Sequence, residues 1–123
     1  MKNNIKIDVK VSFIEEQSSA TINQHTFAYT ITITNNGSIG AQLLTRRWLI
    51  QDETGRMEEV IGEGVVGQQP HIMPGESYQY SSGSVIKTAT GTMKGTYGMI
   101  NDEGERFEAT IPEFVLSEPY TLH

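Results

Sequence analysis

Side chains branched at Cβ outnumber good helix formers in this sequence. Ile, Val and Thr together number 33 of the 123 residues, whereas Leu and Ala together number 10. A branch at Cβ costs rotamer freedom in a helix but packs well on a pleated sheet. The chain is therefore predicted to fold almost entirely into strands.

Two segments alternate between large apolar residues and small or polar ones, namely Ile5–Phe13 and Phe27–Thr34. This period of two is typical of a strand with one buried face. The residues that follow the second segment, Asn35-Asn36-Gly37, tolerate the positive φ of a hairpin turn, which predicts a chain reversal there.

The remaining apolar segments are short and are separated by turn residues. Further strands are predicted at residues 41–51, 56–61, 77–82, 93–100 and 106–111, with residues 114–116 as an added edge strand. Seven or eight short strands with regularly spaced turns predict an all-β sandwich in a single domain, residues 1–123. A closed barrel is the alternative.

The third predicted strand has mixed faces. Strict alternation would place Leu44, Arg46, Trp48 and Ile50 on one face, and Leu43, Thr45, Arg47 and Leu49 on the other. Neither set is purely apolar, so both faces should be partly covered. Trp48 is expected to anchor the core, with Arg46 stacked on its indole.

Charge and composition exclude several classes of protein. Fifteen acidic and nine basic residues give a net charge of −6, the wrong sign for binding nucleic acid or an acidic membrane surface. The absence of cysteine excludes disulfides and thiolate chemistry. No apolar run approaches the roughly 18 residues of a membrane span, and no signal-peptide pattern is present. We therefore expect a cytoplasmic protein without membrane insertion.

Residues 62–67 read GEGVVG and match the dinucleotide-binding pattern G-x-G-x-x-G. That site requires a helix after the glycines, and the two prolines that follow, Pro70 and Pro74, forbid one. We interpret the string as a structural glycine-rich bend. The alternative is an anion or ligand loop formed by the backbone N–H groups of Gly62, Gly64 and Gly67.

No constellation of catalytic residues emerges from the spacing. Ser84 and Lys87 match S-x-x-K, but on a strand these two side chains point to opposite faces. The three histidines form no metal-binding pair, and the acidic clusters at 58–63 and 102–105 are interpreted as solvated turn residues, with weak Mg²⁺ binding as the alternative. We expect neither an enzyme nor a cofactor.

Arginine and aromatic residues gather near the middle of the chain, a composition enriched at protein interfaces. Arg46, Arg47 and Glu63 are predicted to lie near a contact surface for an unidentified protein partner. An unpaired sheet edge at Ile5–Phe13 would also allow a homodimer by strand addition.

The same strings resemble the bacterial ApaG family over nearly the whole chain. The matching residues are Gln42-Leu43-Leu44, Arg46-x-Trp48-x-Ile50, Gly62-x-Gly64-Val65-Val66-Gly67, Pro70, Pro74-Gly75-Glu76, Tyr80, Ser82 and Gly91-x-Met93-x-Gly95-x-Tyr97. The resemblance implies one ApaG-type domain with an immunoglobulin- or fibronectin type III-like β-sandwich fold.

For function, the resemblance implies an association with cobalt resistance and magnesium efflux, under the alternative name CorD. Similar domains in eukaryotic F-box proteins and in a polymerase-interacting protein imply a binding module. We therefore expect a non-enzymatic interaction module of the cytoplasm, linked to divalent-cation homeostasis through protein–protein contacts. The alternative is a direct binder of a divalent ion or of a diphosphate-containing metabolite.

Overall fold

Within the described part of the chain, eight strands form the fold, and two single 3₁₀ turns, Glu15–Gln17 and Ala20–Ile22, connect the first two of them. The computed structural model describes residues 1–118. The strands are β1 Ile5–Phe13, β2 His25–Asn35, β3 Ala41–Asp52, β4 Met57–Glu63, β5 His71–Ile72, β6 Ser77–Ile86, β7 Thr90–Asn101 and β8 Arg106–Ser117. No helix within this part of the chain is long and apolar enough to cross a membrane.

The strands divide into two separate antiparallel sheets. One has the order β1-β2-β6, and the other has the order β4-β3-β7-β8 with the short β5 paired to the start of β3. Both sheets contribute fully buried side chains to one core, for example Phe27 and Ile31 from the first and Leu43 and Tyr97 from the second. The predicted β-sandwich is confirmed, and the closed barrel is excluded because the two sheets are distinct.

The segment Asn35-Asn36-Gly37, where a chain reversal was predicted, is not a hairpin turn between paired strands, because it connects two strands of different sheets, β2 and β3. Asn35 is 1% exposed and organises the connection. Its Nδ2 donates to the carbonyl oxygens of Ile39 and Ile72, each at 2.9 Å, and its Oδ1 accepts from the Gly37 N–H at 2.9 Å. The buried amide thus holds a crossover between the sheets.

Residues 114–116 do not form a separate edge strand, as was predicted, but belong to β8. The pairing of β7 with β8 changes register where Met93 faces Phe114 and Gly95 faces Ile111. Pro112 and Glu113 therefore form an irregularity within one continuous strand, and the apolar segment beyond it returns to the sheet. The two-residue strand β5 was not predicted, because a bridge this short has no periodicity.

A β-bulge at Leu44 explains the mixed faces of the third strand. The register between β3 and β7 shifts between Leu43 and Thr45. An extra residue in one strand inverts the alternation beyond it. As a result Leu43 and Trp48, an odd number of positions apart, are both buried in the core. Trp48 is the predicted anchor, at 3% exposure.

Candidate functional site

A cavity of about 210 Å³ opens between the two sheets, near the start of the connection that follows β4. Strands of both sheets and this connection line it, with Tyr29, Arg46, Trp48, Val65, Val66, Tyr80 and Ser82. The walls are mainly aromatic and aliphatic, and Arg46 is the one charged residue among them. We call this space the Arg46 cavity.

Arg46 reaches the cavity because the Leu44 bulge turns it inward. Its Nη1 donates to the carbonyl oxygens of Glu63 at 2.9 Å and Gly64 at 3.0 Å. The guanidinium lies across Gly62, where a Cβ atom would come within 2.6–2.7 Å of three of its atoms. Only glycine at position 62 leaves room for the arginine in this place.

The predicted stacking of Arg46 on Trp48 is wrong. Within residues 1–118, the indole is packed instead by three other rings, with centroid distances of 5.5 Å to Tyr29, 5.9 Å to Phe114 and 6.5 Å to Tyr97. The guanidinium donates instead to two carbonyl oxygens, which form stronger interactions with it than a ring face does.

The other glycines of the string shape a tight turn. Val65 and Gln68 exchange two backbone hydrogen bonds of 2.8 and 3.0 Å around Val66 and Gly67. Both central residues have positive φ, 48° and 77°, which is the pattern of a type I′ turn. Gly64 also has positive φ, 64°. The string therefore forms a compact bend, which we call the glycine hairpin (residues 62–68).

Backbone groups of the glycine hairpin are already partly used within the protein. The Gly64 N–H donates to the Leu44 carbonyl at 2.8 Å, and the Gly64 carbonyl accepts from Arg46 at 3.0 Å. Gly62 lies within β4 beneath the guanidinium, and Gly67 lies at the tip of the turn. Diphosphate binding by these three glycines stays a prediction.

Two tyrosines, Tyr29 and Tyr80, line the Arg46 cavity, and a third, Tyr97, contacts Tyr80. The hydroxyl groups of Tyr80 and Tyr97 are joined by a hydrogen bond. Burial raises the pKa of Tyr29, Tyr80 and Tyr97, while the charge of Arg46 opposes the rise at each phenol. The three phenols therefore keep their protons throughout the physiological range and can donate hydrogen bonds.

The two predicted interface arginines point to opposite faces of the sheet. Arg47 is exposed on the outer face, where its Nε and Nη2 each lie 2.7 Å from Oε2 of Glu59. The carboxylate of Glu63 is also exposed, and only its backbone carbonyl meets Arg46. The residues predicted as one surface are thus split between the outer face and the cavity.

Basic side chains engage the acidic cluster at 102–105, whereas in the cluster at 58–63 the ion pair found involves Glu59. Lys2 Nζ lies 2.9 Å from Glu103 and 2.7 Å from Glu105, and His71 Nε2 lies 2.7 Å from Asp102. Among residues 1–118, no three histidine or acidic side chains come close enough together to hold a metal ion. The third histidine of the sequence, His123, lies outside the described residues.

Comparison with known proteins now adds to this geometry. The ApaG domain family matches residues 15–101, which include every residue lining the Arg46 cavity. The chain belongs to the ApaG family. Two relatives named Protein ApaG support this: one from Dechloromonas aromatica is 52% identical over 122 residues, 99% of this chain and 96% of its own length. The other, from Shewanella sp. MR-4, is 49% identical over 123 residues, 100% of this chain and 98% of its own.

A solved structure that is similar to this chain has the same fold. The crystal structure of the ApaA protein from Bordetella pertussis has a TM-score of 0.93 at 44% identity, covering 96% of each chain. The resemblance to the ApaG family that the sequence motifs suggested is therefore confirmed, together with the sandwich fold.

Sequence reasoning missed two of the cavity residues, Tyr29 and Ser82, as members of a site. Tyr29 and Ser82 are paired across β2 and β6, a register that the sequence does not reveal. The even spacing of Tyr78, Tyr80 and Ser82 on one strand face is the signal that points toward the second of these residues.

Proposed function

We propose that this protein is a non-enzymatic binding module that acts in divalent-cation homeostasis by contacting another protein through its glycine hairpin. The observation that carries the proposal is the conformation of Val66. This residue is β-branched, has a φ of 48° and is 63% exposed. A β-branched residue at positive φ is a genuine outlier that costs free energy.

The strained backbone of Val66 contributes little to the stability of the fold. The position is mostly outside the core, and its neighbour in the turn, Gly67, has the residue type that positive φ favours. Strained residues of this kind tend to cluster at sites of function. A partner that buries the Val66 side chain supplies a reason for valine at this position.

The strand that leads into the glycine hairpin also exposes an apolar side chain, on the outer face of the sheet. The preceding strand β4 is an edge strand of its sheet, and Ile61 on it is 67% exposed. Ile61 lies opposite Arg47 in the pairing of β3 with β4. Exposed aliphatic residues beside an arginine match the composition of interfaces. The link to cobalt and magnesium follows from the family resemblance.

The proposal is tested by comparing two valines of equal exposure in a strain that lacks its own copy of the gene. Val66 is 63% exposed on the glycine hairpin, and Val115 is 61% exposed on β8. We expect wild type and Val115→Ala to restore tolerance of high Co²⁺, and Val66→Ala to fail although it folds. Equal rescue by all three proteins would reject the glycine hairpin as the contact surface. Failure of the wild type would reject the role in cation homeostasis.

Substitution of Val66 by glycine separates the role of the side chain in the partner contact from the backbone strain. Val66→Gly removes the side chain and relieves the backbone, so the free energy of unfolding should stay the same or rise, by up to roughly 1 kcal/mol. The same variant should lose cobalt tolerance as Val66→Ala does. A folded, more stable variant that retains full tolerance would show that the valine side chain has no part in binding.

A further inference from the structure

We infer that the Arg46 cavity is a binding site for a carboxylate attached to a small aromatic or apolar body. This goes beyond the proposed partner contact at the exposed tip of the glycine hairpin, with which the cavity shares Val66. The inference rests on the charge of the cavity, on the donors around it and on its size.

The cavity holds a positive charge that residues 1–118 leave without a counterion. Arg46 is half-buried, and the ion pairs found within residues 1–118 do not include it. Its two hydrogen bonds go to the neutral carbonyl groups of Glu63 and Gly64. A guanidinium removed from water without a carboxylate favours an anion from outside.

The guanidinium is held in place, and its Nε and Nη2 groups are left to donate to a ligand. Both internal hydrogen bonds use Nη1, and contact with Gly62 fixes the plane of the group. A guanidinium has five N–H donors in a rigid fork, and Nε with Nη2 forms the edge that binds a carboxylate through two parallel hydrogen bonds. The backbone of the glycine hairpin therefore pre-orders the arginine for an anion.

Other groups in the cavity extend this donor set. Tyr29, Tyr80 and Ser82 carry hydroxyl groups and line the same space. Because burial raises the pKa of both tyrosines, their hydroxyl groups are neutral at physiological pH and do not repel an anion. No acidic residue belongs to the cavity lining.

Size and charge select the ligand. The volume of about 210 Å³ lies below the 300–1,000 Å³ typical of metabolite pockets, which is too small to enclose a nucleotide and suits a single ring or one amino-acid residue. One guanidinium balances one negative charge, whereas a phosphate dianion would leave a charge uncompensated in a protein of net charge −6. The rings of Trp48 and Tyr80 provide an apolar wall for the body of the ligand.

The test is a titration of the ¹⁵N-labelled full chain, followed by NMR, with four probes. Phenylacetate represents a free aromatic acid, and N-acetylglycylphenylalanine represents the carboxyl end of a peptide. Phenylacetamide is the neutral analogue, and inorganic phosphate is the competing anion. We expect saturable shifts centred on residues 46, 62–66 and 80–82 with one or both carboxylates, and the tighter of the two identifies the source of the ligand.

Three variants assign the effect to Arg46. Arg46→Gln should weaken carboxylate binding about tenfold or more, since it removes a charge-assisted pair of hydrogen bonds. Arg46→Lys keeps the charge but loses the forked pair of donors, so its affinity for the carboxylate should lie between those of wild type and Arg46→Gln. Arg47→Gln, a neighbouring arginine on the outer face, should bind like wild type. An amide spectrum with the dispersion of the wild-type spectrum would show that each variant is folded.

Three results would overturn the inference. They are the absence of saturable shifts with both carboxylates at millimolar concentration, equal binding of phenylacetamide and phenylacetate, and an equal loss of affinity in Arg47→Gln and Arg46→Gln. Tighter binding of phosphate than of either carboxylate would likewise refute the choice of ligand. None of these results depends on cobalt tolerance, so the proposed partner contact stands or falls separately.

Discussion

Replacement of Gly62 by alanine is the sharpest test of how the glycine string works. Gly62 lies within β4, and its φ is not in the positive range, so alanine is compatible with the backbone. The added Cβ would nevertheless come within 2.6–2.7 Å of three guanidinium atoms of Arg46. Because those atoms end a flexible side chain, the arginine can move, but it must then leave the Glu63 and Gly64 carbonyls.

The expected cost follows from two opposing terms. Hydrogen bonds to a charged group contribute about 1.5–3 kcal/mol each when buried, and water replaces part of that here because Arg46 is half-exposed. Replacing glycine in a strand interior returns about 0.5–1 kcal/mol of backbone entropy. We therefore expect Gly62→Ala to lower the free energy of unfolding by about 1–2 kcal/mol.

A double-mutant cycle isolates the steric term. Urea unfolding is followed by the fluorescence of the single tryptophan, Trp48, which is 3% exposed in the folded protein. In an Arg46→Ala background the collision is absent, so Gly62→Ala should become neutral or stabilising by up to about 1 kcal/mol. The coupling between the two positions should therefore reach about 2 kcal/mol.

The control is a glycine whose neighbour cannot move. A Cβ at Gly95 would lie 2.1 Å from the backbone carbonyl oxygen of Arg47, so Gly95→Ala should be equally costly with or without the Arg46 side chain. If Gly62→Ala were also equally destabilising in both backgrounds, the glycine would serve the backbone of β4 and not the arginine. The interpretation that the glycine string provides the space for the Arg46 side chain would then be refuted.

Three further predictions concern the core and the sheets. Burial raises the folded-state pKa of Tyr80 and Tyr97 above the unfolded value of 10.0, so the native state holds more protons above pH 10 and stability must fall there. Tyr80→Phe should make this fall shallower by up to about 1.4 kcal/mol per pH unit, as measured by urea unfolding at pH 9 to 11; an unchanged slope would contradict it. Asn35→Ala should cost about 3 kcal/mol, because it leaves buried carbonyl groups without a donor; a loss below about 1 kcal/mol in the same assay would show that water reaches them. Leu116→Ala should cost about 3 kcal/mol, against less than about 0.5 kcal/mol for the exposed Val115→Ala; equal costs would mean that the end of β8 does not cover the core.

The sequence predicts strands well where one face is buried and the other is exposed. Ile5–Phe13 was predicted with its observed limits, since its alternation continues to both ends. At Asn35 the local signal fails, because a polar turn looks the same whether the chain stays in its sheet or crosses to the other. The difference lies in a hydrogen bond to Ile72, far along the chain, and no local pattern encodes it.

The glycine string shows why a motif needs its structural context. In a dinucleotide site, glycines allow backbone N–H groups to approach a phosphate. Here Gly62 makes room for a guanidinium, and Gly64 offers it a carbonyl oxygen. The sequence excluded the helix that phosphate binding requires, but it did not reveal that the same small residues serve a cation of the protein itself.

The whole site depends on the extra residue at Leu44. With strict alternation from the buried Leu43, the strand would turn Thr45, Arg47 and Leu49 inward, and Arg46 would lie on the outer face. The bulge inverts this order, and it is held by the Leu44 carbonyl, which accepts from the Gly64 N–H at 2.8 Å and from Gln69 Nε2 at 2.9 Å. The glycine hairpin thus fixes the bulge that brings Arg46 inward and then receives the arginine on its own carbonyl groups. Deletion of Leu44 should therefore leave Trp48 and Arg46 facing inward, because it restores strict alternation from Leu43. It should loosen the glycine hairpin instead, because the carbonyl that accepts from Gly64 and Gln69 is lost.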